Sequence, residues 1–236
     1  MSIAENVAAI RAGIAEAAAA AGRDPKEILL CAATKMNGPE AVREAIAAGV
    51  DCCGENRVQE LTAKLAEGAY AGAPVHFIGH LQRNKVRQVV GKVDLIQSVD
   101  SPRLLSAIDQ EAARQGIVQD VLLEINVGRE ASKTGFLPEE LSPILENFSK
   151  FSHVCLRGLM AIPPICQNPA DCREFFQEIC RLSVDIGAKK SDNISVGILS
   201  MGMSGDYREA IACGSTMIRV GTAIFGARDY GNTHQA

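Results

Sequence analysis

No apolar run in this chain of 236 residues approaches the roughly 18 that a membrane-crossing helix requires. The N-terminal stretch MSIAENVAAIRAGIAEAAAA has acidic residues and helical period in place of the basic-then-apolar pattern of a secretory signal. Both absences point to a cytoplasmic protein with no membrane partner. Lysine and arginine are scattered and the net charge is -4, so the concentrated basic footprint of a nucleic-acid binder is missing. No cysteine pair has the CxxC spacing of a zinc or redox motif. The eight cysteines lie mostly inside apolar segments (Cys31, Cys52, Cys53, Cys155, Cys213), where a reduced thiol packs as a small hydrophobe. At this length no disulfide framework is expected, and Cys166, Cys172 and Cys180 are read as packing residues. His76 and His80 would converge on a metal only from a helix, whereas VHFIG has the composition of a strand. No metal site is expected.

What the sequence does hold is alternation. Ser2 and Glu5 form a capping-box pattern ahead of an alanine-rich helix that runs to about Ala21. Short apolar segments follow as ILLCAAT, VDCCG, VHFIGH, VDLIQSV, QDVLLEINV, VCLRGLMAI, ISVGILSMG and TMIRVG, separated by stretches with helical period or helix-start chemistry. Gly38-Pro39, Ser101-Pro102 and Asn168-Pro169 mark helix starts, and Gly49, Gly116 and Gly187 mark helix ends. Strand and helix repeated about eight times, with no break in composition, specify a single (β/α)8 TIM barrel over residues 1–236. Residues 1–24 form an extra N-terminal helix and 230–236 a tail. A doubly wound open sheet is the alternative, but the GxGxxG fingerprint expected after its first strand is absent.

In such a barrel the site lies where strands end, and the loops after strands 7 and 8 commonly hold phosphate. Those loops are the glycine-rich LSMGMSGDY (Ser200, Gly202, Ser204, Gly205) and RVGTAIFG (Gly221, Thr222). Glycine lets backbone N–H groups approach an anion. Lys35 ends the first strand, which barrel closure sets beside the eighth. By spacing alone it is a solvated rim residue, a phosphate counter-ion, or a nucleophile toward a carbonyl.

The segments ATK (33–35), GENRVQE (54–60), HFIGHLQRNK (76–85), SKTGF (132–136), GLMAIP (158–163) and LSMGMSGDYREAIACGSTMIRVGTAIFGARDY (199–230) together resemble the pyridoxal phosphate homeostasis protein family, also called PROSC-like or YggS-like proteins. The resemblance spans nearly the whole chain in order. It implies a fold-type III pyridoxal 5'-phosphate (PLP) barrel similar to the N-terminal domain of alanine racemase, with PLP held as a Schiff base on Lys35. The phosphate would lie against Ser200 and the Gly221-Thr222 turn. Arg219 matches the arginine that faces the pyridine nitrogen, and Asn56, His80 and Met160 would line the pocket.

The implied role is a PLP carrier or buffer that supplies apo PLP-dependent enzymes and affects amino-acid and keto-acid balance. The alternative is a PLP-dependent amino-acid racemase or lyase of the same fold type; a second is a phosphosugar barrel enzyme. A two-base racemase needs a second proton carrier, which in alanine racemase is a tyrosine, and this chain's three tyrosines, Tyr70, Tyr207 and Tyr230, have no clear claim to that role. The barrel without a second domain is read as a monomer. Where the family often has a second lysine after the cofactor lysine, this chain has Asn37, and GNTHQA lacks the basic tail of some members. Lys133 is a candidate second basic group at the mouth.

Overall fold

Each of the eight apolar segments forms one strand, and the strands pair in parallel and in chain order until β8 meets β1 and the barrel closes. In the computed structural model, which describes residues 1–187 and 192–226, the strands are β1 (Leu29–Ala33), β2 (Cys52–Glu55), β3 (Val75–Phe77), β4 (Leu95–Val99), β5 (Gln119–Ile125), β6 (Val154–Ala161), β7 (Ile194–Ser200) and β8 (Met217–Val220). The helices are α1 (Ile3–Ala20), α2 (Pro39–Ala47), α3 (Val58–Ala66), α4 (Pro102–Gln115), α5 (Leu141–Glu146), α6 (Arg173–Gly187), α7 (Tyr207–Ala212) and α8 (Thr222–Phe225). No helix among the described residues is long and apolar enough to cross a membrane. The tail 230–236 and Tyr230 lie outside the described residues.

Helix α1 begins with the capping box read from the sequence: the Glu5 amide donates to Ser2 Oγ at 3.2 Å and the Ser2 amide to Glu5 Oε2 at 2.8 Å. Its buried stripe, Val7, Ile10, Ile14, Ala17 and Ala18, packs toward α2, α7 and α8. Among the described residues α8 is a single turn, and α1 packs against it as well as against α7 and α2. The helix ends at Ala20, so residues 21–24 belong to the turn before β1.

Three expectations need correction. Asn168-Pro169 opens a 3₁₀ turn, Pro169–Cys172, and the α-helix proper starts at Arg173. The β3–β4 connection is a 3₁₀ segment, Arg83–Gln88, in place of an α-helix. Cys166 and Cys172 do not merely pack; they are joined as a disulfide, with Cα atoms 6.1 Å apart. The reason is local, because Pro163, Pro164 and Pro169 bend the β6–α6 loop until these two residues face each other.

Alternation splits every strand between two cores. Leu30, Ala32, Cys53, Phe77, Ile96, Val121 and Leu159 face the helices, while Cys31, Cys52, Leu95, Leu122, Met160 and Met217 fill the barrel interior. Gly158 interrupts β6 where its pairing slips on both sides. Its φ of 152° and the carbonyl oxygen of Ile198, 1.8 Å from where a Cβ would sit, exclude any side chain. Gly158→Ala is therefore expected to lower stability by roughly 1–3 kcal/mol or more, read as a reduced urea midpoint at unchanged m-value.

Candidate functional site

Parity along β1 sets the orientation of Lys35. Cys31 points into the barrel and Thr34 points out, so Lys35, half-buried just beyond the strand, returns to the inner face at the mouth. The register of β1 with β2 pairs Ala33 with Gly54, and its extension sets Lys35 beside Asn56. The next residue, Met36, holds a left-handed φ of 62° and its amide donates to Glu60 Oε2 at 2.6 Å. That bond fixes the turn carrying the lysine.

Directly behind Lys35, on the outer face, lies a buried polar cluster. Glu55 Oε1 accepts from Thr34 Oγ1 at 2.6 Å, Lys64 Nζ at 2.5 Å and the Tyr70 hydroxyl at 3.1 Å, while Lys64 also donates to the Thr34 carbonyl at 2.8 Å. Burial and the neighbouring Glu55 carboxylate push the Tyr70 hydroxyl far up, so it stays a donor. The cluster locks the ends of β1 and β2 together.

Across the seam, Arg219 is buried at 4 % exposure. It donates to the Ser200 carbonyl and Oγ at 2.6 Å each and to the Ala161 carbonyl at 2.9 Å. Arginine only donates, so the Ser200 hydroxyl must give its own hydrogen to Gln97 Oε1, at 2.6 Å. The Gln97 amide nitrogen then donates to His76 Nδ1 at 2.9 Å and to Met217 Sδ at 3.2 Å. His76 therefore carries its proton on the other ring nitrogen. One ordered chain of hydrogen bonds runs from Arg219 into the barrel floor.

Register also sets Glu124, Met160 and Ser200 side by side on β5, β6 and β7. Burial, reinforced by Asp100, raises the Glu124 carboxyl from its ordinary 4.5 to about 7, against the opposing pull of Arg219 and His80. The folded chain thus holds this proton more tightly than the unfolded chain does. The stability contributed by protonated Glu124 is complete below about pH 4.5 and is lost as pH rises toward 7. Glu124→Gln, which cannot ionise, should flatten the decline of the urea midpoint across that window; parallel pH profiles for the two proteins would refute the assignment.

Of the residues expected from the sequence, Lys35, Asn56, Met160, Ser200 and Arg219 converge on the inner face and the mouth. Asn56 Oδ1 is buried with no partner, and its backbone is pressed so closely against Gly79 that a Cβ there would lie 2.1 Å from the Asn56 carbonyl oxygen. Ser200 is fully buried between Arg219 and Gln97. Gly221 and Thr222 start α8 and meet the Gly202–Asp206 loop through a 3.3 Å bond from the Ala223 amide to Ser204 Oγ. His80 stands apart on the rim, paired with Asp100 at 3.1 Å beside a cavity of about 500 Å³. Lys133 pairs with Glu130 and donates to the Pro163 carbonyl at 3.3 Å. Tyr70 belongs to the Glu55 cluster, and the Tyr207 hydroxyl sits against Gly13 of α1, so neither reaches the mouth.

Sequence reasoning missed Gln97, Glu124, Glu55 and Lys64. For Gln97 a signal was available: a glutamine inside the apolar strand LIQSV needs a buried partner.

The family described as alanine racemase, N-terminal domain, matches residues 6–229. This defines the class, a parallel barrel of the alanine racemase N-terminal type. Alanine racemase of Clostridium difficile 630 superimposes with a TM-score of 0.71 at 16% identity, over 95% of this chain and 57% of its own, a likeness of fold alone. PipY of Synechococcus elongatus, solved with PLP bound, superimposes with a TM-score of 0.82 at 34% identity, over 95% of this chain and 100% of its own. Two proteins named pyridoxal phosphate homeostasis protein align at 40% identity: that of Aquifex aeolicus over 98% of this chain and 100% of its own, and that of Escherichia coli K12 over 97% of each. The chain belongs to the pyridoxal phosphate homeostasis protein family.

Proposed function

We propose that this protein binds pyridoxal 5'-phosphate covalently through the amine of Lys35 and acts in PLP homeostasis as a carrier or buffer. The observation that carries this reading is the meeting, at one point of the mouth, of an inward-facing lysine and a buried amide oxygen without a partner. A polar ligand seated there supplies the donor that Asn56 Oδ1 lacks. Arg219 faces the same interior as a fixed cation, and the Gly202–Asp206 and Gly221-Thr222 turns offer backbone N–H groups to a phosphate. Ser200 acts by holding Arg219 in place.

PLP in general supplies an aldehyde for amines and a ring that withdraws electrons. An arginine, always charged, opposes protonation of a neighbouring ring nitrogen and so keeps that withdrawal weak. With both described tyrosines turned away from the mouth, the residues favour holding and releasing the cofactor over racemising amino acids. The reading extends to a single domain that works as a monomer in the cytoplasm and passes PLP to apo-enzymes.

The test is an absorption spectrum of the protein with PLP, followed by borohydride reduction and peptide mass mapping. A visible band and a pyridoxyl group on Lys35 are expected. No band and no adduct would return the barrel to the phosphosugar reading.

A further inference from the structure

Barrel closure gathers three metal-binding side chains that sequence spacing keeps apart. Cys31 and Cys52 are direct register partners on β1 and β2, and His76 on the adjacent β3 completes the group. Their nearest ligand atoms all lie within 4.8 Å of one another. All three are shielded from solvent, at 0%, 2% and 7% exposure. The soft thioether of Met217 packs in the same cluster. The cofactor reading does not use the two thiols, whereas His76 and Met217 each accept a hydrogen bond from Gln97.

We propose that Cys31, Cys52 and His76 bind one thiophilic divalent metal ion, of which Zn²⁺ is the type. Zinc takes thiolate and imidazole ligands at about 2.3 and 2.0 Å, so its ligand atoms stand roughly 3.3–3.8 Å apart. The observed cluster reaches that geometry by contracting about 1 Å. Two thiolates and an imidazole are a ligand set that zinc takes, and the buried Arg219, register partner of Cys31, favours the thiolate form of the ligands. Binding releases the two thiol protons, and the ring proton of His76 moves from the ligating Nε2 to Nδ1, so the imidazole stays neutral. The Gln97 amide then turns so that its oxygen accepts from Nδ1, the usual outer-shell arrangement for a zinc-bound histidine. Three protein ligands leave a fourth position, which Met217 lines.

The inference stands apart from the PLP reading and is tested without the cofactor. Full-length protein, stripped of PLP and reduced, is titrated with Zn²⁺ against a chromophoric chelator. One ion per chain is expected, retained through gel filtration. Cys31→Ser and Cys52→Ser should each lose it, while Cys180→Ser and Cys213→Ser, at other half-buried thiols, should keep it. Co²⁺ bound to the unaltered protein should show a sulfur-to-metal charge-transfer band, a readout that needs no variant to fold. Three results overturn the proposal: no ion retained by the reduced protein, an ion retained equally when Cys31 and Cys52 are both replaced, or bound Co²⁺ without the charge-transfer band.

Discussion

Lys35→Ala is expected to abolish the visible PLP band and all borohydride-trapped label, and to weaken PLP retention by about 100-fold or more, equivalent to roughly 2.7 kcal/mol. The magnitude follows from the geometry. Lys35 is the lysine that β1 turns inward at the mouth, while Lys64 is committed behind it to Glu55 and Lys133 to Glu130 and Pro163. Lys35→Arg separates two contributions: it keeps the positive charge at the mouth but cannot form the covalent link. Residual binding by Lys35→Arg above that of Lys35→Ala measures the charge alone, by equilibrium dialysis. Undiminished covalent labelling of Lys35→Ala would move the attachment to another amine. Turnover of an amino acid by the unaltered protein, lost in Lys35→Ala, would favour a racemase or lyase over a carrier.

Lys64→Met should have the largest effect on stability. Lys64 and Glu55 form an ion pair of 2.5 Å with side-chain exposures of 7% and 0%. Removing one member leaves a buried carboxylate held only by Thr34 and Tyr70, with Oε2 already unpartnered. Breaking such a pair costs about 3–5 kcal/mol, whereas replacing both members costs much less. For a chain of this size that loss lowers Tm by roughly 6–20 °C. Adding Glu55→Leu to Lys64→Met should recover part of it. A double variant as unstable as the sum of the singles would show that the two side chains act independently. Because Lys64 also holds the Thr34 carbonyl, the single variant should loosen the Lys35 turn and weaken PLP retention as well.

The strands and their order were legible because each is a short apolar run closed by turn chemistry, and strict chain order follows from repeated strand–helix units. The place of Lys35 at the end of the first strand, beside the eighth, was likewise readable, but spacing alone left its role open, and Arg219 entered only through the family resemblance. What could not be read is which interior side chains meet. Gln97 touches Ser200 from 103 positions away and Met217 from 120, contacts set by the stagger of the closed sheet rather than by any local pattern. The Glu55–Lys64 pair hid for a different reason: GENRVQELTAK reads as a polar, solvated helix start, and only the depth of α3 against β2 reveals that both charges are buried. The Cys166–Cys172 link depended on a proline-bent loop whose path no periodicity describes.

The hydrogen bonds running from Arg219 through Ser200 and Gln97 to His76 all point the same way, because their first member has no lone pair to offer. A row of polar groups in a barrel floor resembles a proton wire, yet this one cannot conduct. Proton transfer along it requires Arg219 to surrender a proton it holds at any physiological pH, and the amide of Gln97, which can turn but cannot relay a proton, breaks the path a second time. The row is an insulator. The floor of the barrel thus serves to keep Arg219 charged and still.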